Sequence, residues 1–287
     1  MRLQSAMEYL MTYGWAILII AVVLGVLYYL GVFNTANLAP RLQPGSCHVS
    51  RTSAGAQNFG VCAGLPEFVA SLNGSNAPNV TTSLAYPAGN STACIWEDGN
   101  WYKSTSWGFE IDSAFQLNTN YAGVIDVWAS NSNSNRVLVM SMTSAPTSQW
   151  RQVCVTRAFS SGSTYSDAMY LDGALVKNAS DTEGSLSNGV GWVGGGSPFQ
   201  NIHLMYPGSG GYGGQIANVQ IYNASLSSTA VHALYMEGIG GAPIIPQSIM
   251  AWYPLNGDAN DYSGNNNNGQ ANNVQYTNTW INGYSAP

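Results

Sequence analysis

From residue 68 to residue 226 the chain repeats one pattern: a short run in which apolar and polar residues alternate, then a cluster of Gly, Asn, Ser or Pro that stops it. The runs are FVASLNG (68–74), WGFEIDSAFQL (107–117), AGVIDVWAS (122–130), RVLVMSM (136–142), WRQVCVTR (150–157), AMYLDGALV (168–176) and GQIANVQIYNASL (214–226). Alternation with period two suits half-buried antiparallel strands. Several such strands with almost no helix between them predict a β-sandwich. One helical pattern breaks the series: LSSTAVHALYMEG places Leu226, Ala230, Val231, Leu234 and Tyr235 on one side, opens on a serine cap and stops at Gly238.

The amino-terminal part is of another kind. After Arg2 the first charge is Glu8, and the stretch from Tyr9 to Phe33 carries none. A helix of that length, rising ~1.5 Å per residue, reaches across the ~30 Å hydrocarbon core of a bilayer. Tyr28, Tyr29 and Phe33 follow the apolar run as interfacial aromatics do, and no small-residue cleavage site follows it as in a secretory signal. With Arg2 as the early basic residue, the amino terminus is expected in the cytoplasm and the bulk of the chain outside. Glu8, a carboxylate at the membrane edge, needs solvation, neutralisation or a partner.

Charged residues make up only 8% of the chain, and the formal net charge is -6. No Lys/Arg cluster is present, which excludes a nucleic-acid partner of the usual electrostatic kind. Cys47, Cys62, Cys94 and Cys154 all follow the apolar segment and none forms a C-x-x-C pair, so two disulfides are expected rather than a zinc site. The simplest pairing is Cys47 with Cys62 and Cys94 with Cys154, with two other connectivities open. Residues 34–65, rich in Asn, Pro, Gly and Ser, read as a stalk or loop held by a local disulfide. Asn73, Asn79, Asn90, Asn178 and Asn223 stand in Asn-x-Ser/Thr sequons and are candidates for glycosylation.

Two resemblances follow from these residues. Gln4-Ser5-Ala6-Met7-Glu8-Tyr9-Leu10, behind the short leader Met1-Arg2-Leu3, resembles the class III signal peptide of archaeal type IV pilin-like proteins. That resemblance implies a prepilin peptidase cutting before Gln4, a retained helix over residues 4–33, and a homo-oligomeric filament in which Glu8 pairs with a neighbour's new terminal amine. SQWRQVCVTR, AMYLDGALV, VGWVGGG and GGQIANVQIYNASLSSTAVHALYMEG, in that order, are similar to successive elements of the laminin G-like, concanavalin A-like jelly-roll family. MAWYPLNGDANDYSGNNNNGQANNVQY (250–276) resembles the opening strand and loop of the same family, yet stands last. A fold-back that completes the sandwich is preferred over a truncated repeat, because Trp252, Tyr253 and Leu255 cannot be buried by one strand and a loop.

The expected fold is therefore mainly β, an antiparallel jelly-roll sandwich behind one long transmembrane helix. Its parts are a leader (1–3), the helix (4–33), a stalk (34–65), the sandwich (66–245) and a completing carboxy-terminal strand and loop (246–287). This describes a single-pass protein of the cell membrane with its carboxy-terminal domain outside, whose sandwich binds carbohydrate or another surface in adhesion. A structural pilin subunit without specific ligand is the alternative, and a surface glycoside hydrolase the third.

No catalytic set is complete. Glu110 and Asp112 share a run, but Phe115 occupies the place of the third acid of a glucanase strand, so the chain reads as a non-enzyme. His48, His203 and His232 are scattered, and GSGGYGG (208–214) lacks the Lys-Ser/Thr of a phosphate loop. Asp258, Asn260 and Asp261 offer closely spaced oxygens that calcium could use, in a loop that reads first as a turn. Trp101, Tyr102, Trp107 and Tyr212 are candidates for stacking on sugar rings.

Overall fold

The structure is a computed structural model. It describes residues 13–25, 47–51, 58–62, 65–71, 78–84, 89–98, 106–111, 115–119, 124–130, 136–143, 149–161, 164–182, 202–204 and 214–287. The chain divides into two units, Met1–Gln43 and Pro44–Pro287.

In the first unit α1 (13–25) is the described element. At ~1.5 Å per residue it rises roughly 20 Å, short of the ~30 Å bilayer core. Among the described residues no helix is long and apolar enough to cross a membrane. The rest of the expected 4–33 helix, with Gln4 and Glu8, lies outside the described residues.

The second unit is built on the strand STACIWE, β5 (Ser91–Glu97), which is buried along its whole length. An alternating strand has one wet face; a strand buried throughout needs cover on both. The cover comes from a second sheet on one side and from a helix and the carboxy-terminal segment on the other.

Strand numbers follow the chain. The stretch read as a stalk or loop held by a local disulfide contains a hairpin, β1 (Cys47–Arg51) and β2 (Asn58–Cys62), in which Cys47 stands opposite Cys62. The first large sheet, 8-stranded, runs β12-β11-β10-β5-β14-β3-β17 with β15 also on β14. Its members besides β5 are β3 (Val69–Ser71), β10 (Arg151–Ser161), β11 (Thr164–Leu171), β12 (Ala174–Thr182), β14 (Gln215–Tyr222), β15 (Ile249–Tyr253) and β17 (Gln275–Thr277). The second, 7-stranded, runs β16-β4-β13-β6-β7-β8-β9. Here β4 is Asn79–Thr82, β6 Ser106–Ile111, β7 Phe115–Thr119, β8 Ile125–Ser130, β9 Arg136–Met142, β13 Ile202–Leu204 and β16 Gln270–Asn272. All pairings are antiparallel, so the expected sandwich is present.

The run WGFEIDSAFQL is two strands rather than one, since β6 and β7 pair as neighbours. Glu110 lies in β6, and Asp112 falls outside the described residues. The carboxy-terminal segment contributes β15 and β17 to the first sheet and β16 to the second, with Trp252, Tyr253 and Leu255 all buried.

Three clusters fill the interior. Between the sheets lie Val80, Ile95, Ile125, Val127, Met140, Val153, Met169 and Ile221. Beneath the helix α2 (Ser228–Met236) lie Tyr222, Val231, Leu234, Ile249 and Trp252. Trp96, Trp150, Trp280 and Ile239 form the third. The helix starts as its sequence dictates, Ser227 Oγ accepting the Ala230 N–H at 3.2 Å, a cap worth ~1 kcal/mol. The β11–β12 hairpin turns on Asp172 and Gly173, both with positive φ (48° and 73°), the twist that two-residue hairpins favour. Cys94 and Cys154, opposite each other on β5 and β10, are disulfide-bonded. The bond closes a 60-residue separation, roughly 4 kcal/mol in the chain-entropy account.

β10 carries two buried cross-strand ion pairs, one at its first residue and one past its middle. Arg151 Nε meets Glu97 Oε1 at 2.8 Å, and Arg157 Nη1 meets Asp167 Oδ2 at 3.5 Å with its guanidinium 3.7 Å from the Tyr165 ring centre. A charge removed from water is tolerated here only because its partner comes with it. Arg151→Met, which strands the Glu97 carboxylate, is expected to cost about 3–5 kcal/mol in urea unfolding. The double variant with Glu97→Gln is expected to regain most of that, and equal losses in both would show the pair to be irrelevant.

Candidate functional site

The two sheets differ in what covers them. In the second sheet Val80, Ile125, Val127 and Met140 are buried in the inter-sheet core, whereas Asn79, Thr81, Asp126 and Ser141, their sequence neighbours, are half-buried on the opposite face. Residues directly opposite in an antiparallel ladder share a face. Following the register outward from Thr81 therefore traces one row across this outer face: Gln270, Thr81, His203, Glu110, Gln116, Trp128. A second row holds Trp107, Asn118, Asp126 and Ser141. Trp107 joins this face because the β6–β7 register shifts between Trp107 and Phe109. Gly108 is the additional residue, as at many β-bulges.

The register thus assigns acidic, amide, hydroxyl, imidazole and indole residues to positions on one face, with no Lys or Arg in either row. Sequence reading had singled out Glu110 and Trp107 but not His203, Gln116 or Trp128 as their companions. Only pairing between strands distant in the chain shows it. Trp101, Tyr102 and Tyr212 lie outside the described residues.

The expected calcium loop has a clear geometry. Asp261 is buried: its Oδ1 accepts the N–H groups of Trp252 and Ser263, each at 2.9 Å, and its Oδ2 that of Asn267 at 2.9 Å. Asp258 Oδ1 accepts from Asn260 N at 3.1 Å, while Oδ2 accepts from Asn260 Nδ2 at 2.8 Å and from the Tyr262 hydroxyl at 3.0 Å. Burial, then the nearby Asp258 charge, pushes the Tyr262 hydroxyl up to about 12. Both carboxylates thus brace their own loop. Among the described residues no group of three or more His, Cys, Asp or Glu side chains is gathered to hold a metal ion.

The Asn run after this loop also braces it, which its repetitive sequence conceals. Asn265 and Asn267 Nδ2 both donate to Met250 O, and Asn267 O accepts the Tyr253 hydroxyl at 2.6 Å.

A separate cavity of about 400 Å³ opens at the end of α2, lined among others by Leu65, Met236, Glu237, Gly241, Tyr284 and Pro287. His232 is exposed on α2, its Nδ1 about 3.0 Å from where a Cβ on Gly173 would stand. His48 lies in β1, and GSGGYGG lies, but for Gly214, outside the described residues. Of the sequons, Asn90, Asn178 and Asn223 are exposed, Asn79 is half-buried and accepts from Asn272 Nδ2 at 3.0 Å, and Asn73 lies outside the described residues.

Comparison with known proteins agrees with this architecture. A family profile for the concanavalin A-like lectin/glucanases superfamily matches residues 88–232. The chain belongs to that superfamily. Among solved structures it is similar to a candidate carbohydrate-binding protein from Bacteroides ovatus, at 14% identity and TM-score 0.50, covering 82% of this chain and 70% of that one. It is also similar to a heptameric SAP-like pentraxin from Limulus polyphemus (12% identity, TM-score 0.46, 76% of this chain, 98% of that one). A third is the receptor-binding domain of botulinum neurotoxin type G, at 13% identity and TM-score 0.43 over 67% of this chain and 45% of that one. No curated protein matches the sequence.

Because three backbone N–H groups converge on Asp261, Asp261→Ala is expected to lose at least about 3 kcal/mol in denaturant unfolding, hydrogen bonds to a charged group being worth ~1.5–3 kcal/mol each. Asp258→Ala, at a half-buried position, is expected to lose less. The reverse order would contradict the bracing role.

Proposed function

We propose that the protein is a cell-surface module that binds carbohydrate on the outer face of its second sheet, in the service of adhesion. The observation that carries this reading is the contrast between the sheets. The first is covered on both faces at its centre, where β5 is buried throughout, and is exposed at its β12 edge; the second has a face on which Thr81, Asp126 and Ser141 are half-buried and to which the register assigns Glu110 and Trp128. The similarity to the Bacteroides ovatus protein supports the reading at the level of fold.

The face is read as binding rather than catalytic. Glycoside hydrolysis uses a pair of carboxyl groups flanking the bond; the positions directly opposite Glu110 are His203 and Gln116, and Asp126, the other acidic residue of the face, stands in the other row with β7 between its strand and that of Glu110. Anchorage is part of the same proposal. Residues 13–25 are apolar all round, with Trp15, Ile17, Leu18 and Ile20 exposed, which suits a lipid environment or a bundle of like helices. A prepilin peptidase cut before Gln4 would leave this helix on the mature chain, and the Cys94–Cys154 disulfide suits an exterior location.

Glycan-array binding by the full chain in detergent, with and without calcium, tests the reading. Trp128→Ala and Glu110→Gln are each expected to weaken binding about tenfold, equivalent to ~1.4 kcal/mol. Retained affinity in both variants, or cleavage of a bound polysaccharide by the native chain, would overturn it.

A further inference from the structure

The described residues contain the Asn-Gly pairs Asn256–Gly257, Asn268–Gly269 and Asn282–Gly283. Such a pair is chemically weak because glycine, lacking a Cβ, leaves its amide nitrogen open to attack on the preceding side-chain carbonyl. The reaction needs that side chain free to swing over the nitrogen.

Two of the pairs are held back. Asn256 Oδ1 accepts the Phe68 N–H at 2.7 Å. Asn268 Oδ1 accepts that of Asp261 at 2.9 Å, and the Gly269 nitrogen is itself engaged, donating to Ala259 O at 2.8 Å. The third lacks these restraints. Asn282 and Gly283 are exposed at the corner of a turn closed by Tyr284 N–H to Ile281 O at 3.2 Å, and Gly283 has φ 88°. Among the described residues neither the Asn282 side chain nor the Gly283 N–H has a hydrogen-bond partner.

We propose that Asn282–Gly283 is a site of spontaneous backbone modification that releases the carboxy-terminal strap. The Gly283 nitrogen loses its proton to solvent base and bonds to Asn282 Cγ. The Cγ–Nδ2 bond breaks, and the amide nitrogen leaves as ammonia. Water then opens the cyclic imide at either carbonyl, giving aspartate or isoaspartate. The net change is OH for NH2, with ammonia released and one water consumed. In the isoaspartate product the main chain runs through the former side chain, so it gains a methylene and a carboxylate at the turn.

The position makes that change consequential. On one side Trp280 is buried and its carbonyl accepts Trp150 Nε1 at 2.8 Å; on the other Gly283 O accepts the Trp150 N–H at 3.1 Å. Tyr284 lies edge-on to both Trp96 and Trp280 at 5.7 Å and lines the cavity at the end of α2. A longer main chain between Trp280 and Tyr284 breaks the register in which both anchors engage Trp150. Trp96, Trp150 and Trp280 then become wetter, and the cavity wall moves.

The test is to age the full chain in mildly alkaline buffer and follow peptide mass, isoaspartate content by enzymatic methylation, and tryptophan fluorescence. Exchange of NH2 for OH is expected at Asn282 at least roughly tenfold faster than at Asn256 or Asn268, where a hydrogen bond must open first. A tryptophan emission shift should grow in step with it. Asn282→Gln is expected to abolish both signals while leaving fresh-protein fluorescence unchanged. Modification at Asn256 or Asn268 as fast as at Asn282 would overturn the site, and modification of Asn282 without an emission change would overturn the release.

Discussion

Asn218 divides one edge of β14 between two partners. Its φ of 49° places it in the left-handed region, at the register shift between Ala217 and Gln220. Before it, Gln215 and Ile216 pair with β3; after it, Val219 to Tyr222 pair with β15, and its own N–H donates to Pro254 O at 3.1 Å. The buried side chain joins the outer layer to the sheet. Nδ2 donates to Gly241 O at 2.9 Å, and Oδ1 accepts from Trp252 Nε1 at 2.8 Å and Gln220 Nε2 at 3.0 Å. Gln220 in turn accepts the hydroxyl of Tyr222, whose burial pushes its ionisation up out of reach. A chain of neutral groups satisfied in this way is rigid, because a displaced member leaves buried polar atoms without partners.

That arrangement explains why the sheets have different fates. At its centre the first sheet is bound on its outer face to α2 and to the segment from Gly241 to Tyr284, whereas β12 at its edge is exposed from Ala174 to Asn178. The second sheet has β16 added at its edge, and its outer rows keep polar and aromatic residues where a buried sheet would carry Val and Ile. Trp107 and Trp128 fall at register positions of the same face.

Much of this was legible in the sequence. RVLVMSM and IDVWAS alternate, and each became a strand; Ser227 and Gly238 bounded α2; Asp172 and Gly173 made the hairpin. What alternation could not reveal was β5, since STACIWE shows no dry and wet faces when both are dry. The β1–β2 hairpin was missed because CHVSR and NFGVC are short and sit among turn-forming residues. The outer face was unreadable for a different reason. Glu110 was visible as a residue, but His203 stands opposite it only through pairing of β6 with β13.

The low charge of the chain has a structural counterpart in its carboxy-terminal region. There the bracing is done largely by amides: Asn218, Asn256, Asn265, Asn267 and Asn268 each hold a loop or strand end in place. An amide donates and accepts at once and pays no ionic desolvation, whereas a buried charge needs a dedicated partner. Among the described residues, charges enter the interior as the cross-strand pairs of β10, or as Asp261 ringed by N–H donors. A fold braced by amides keeps its surface free of strong fields. On the proposed reading of the outer face, a neutral polyhydroxylated ligand, which forms hydrogen bonds but has no charge to be attracted, would compete there on shape and hydrogen-bond geometry rather than against dense ionic hydration.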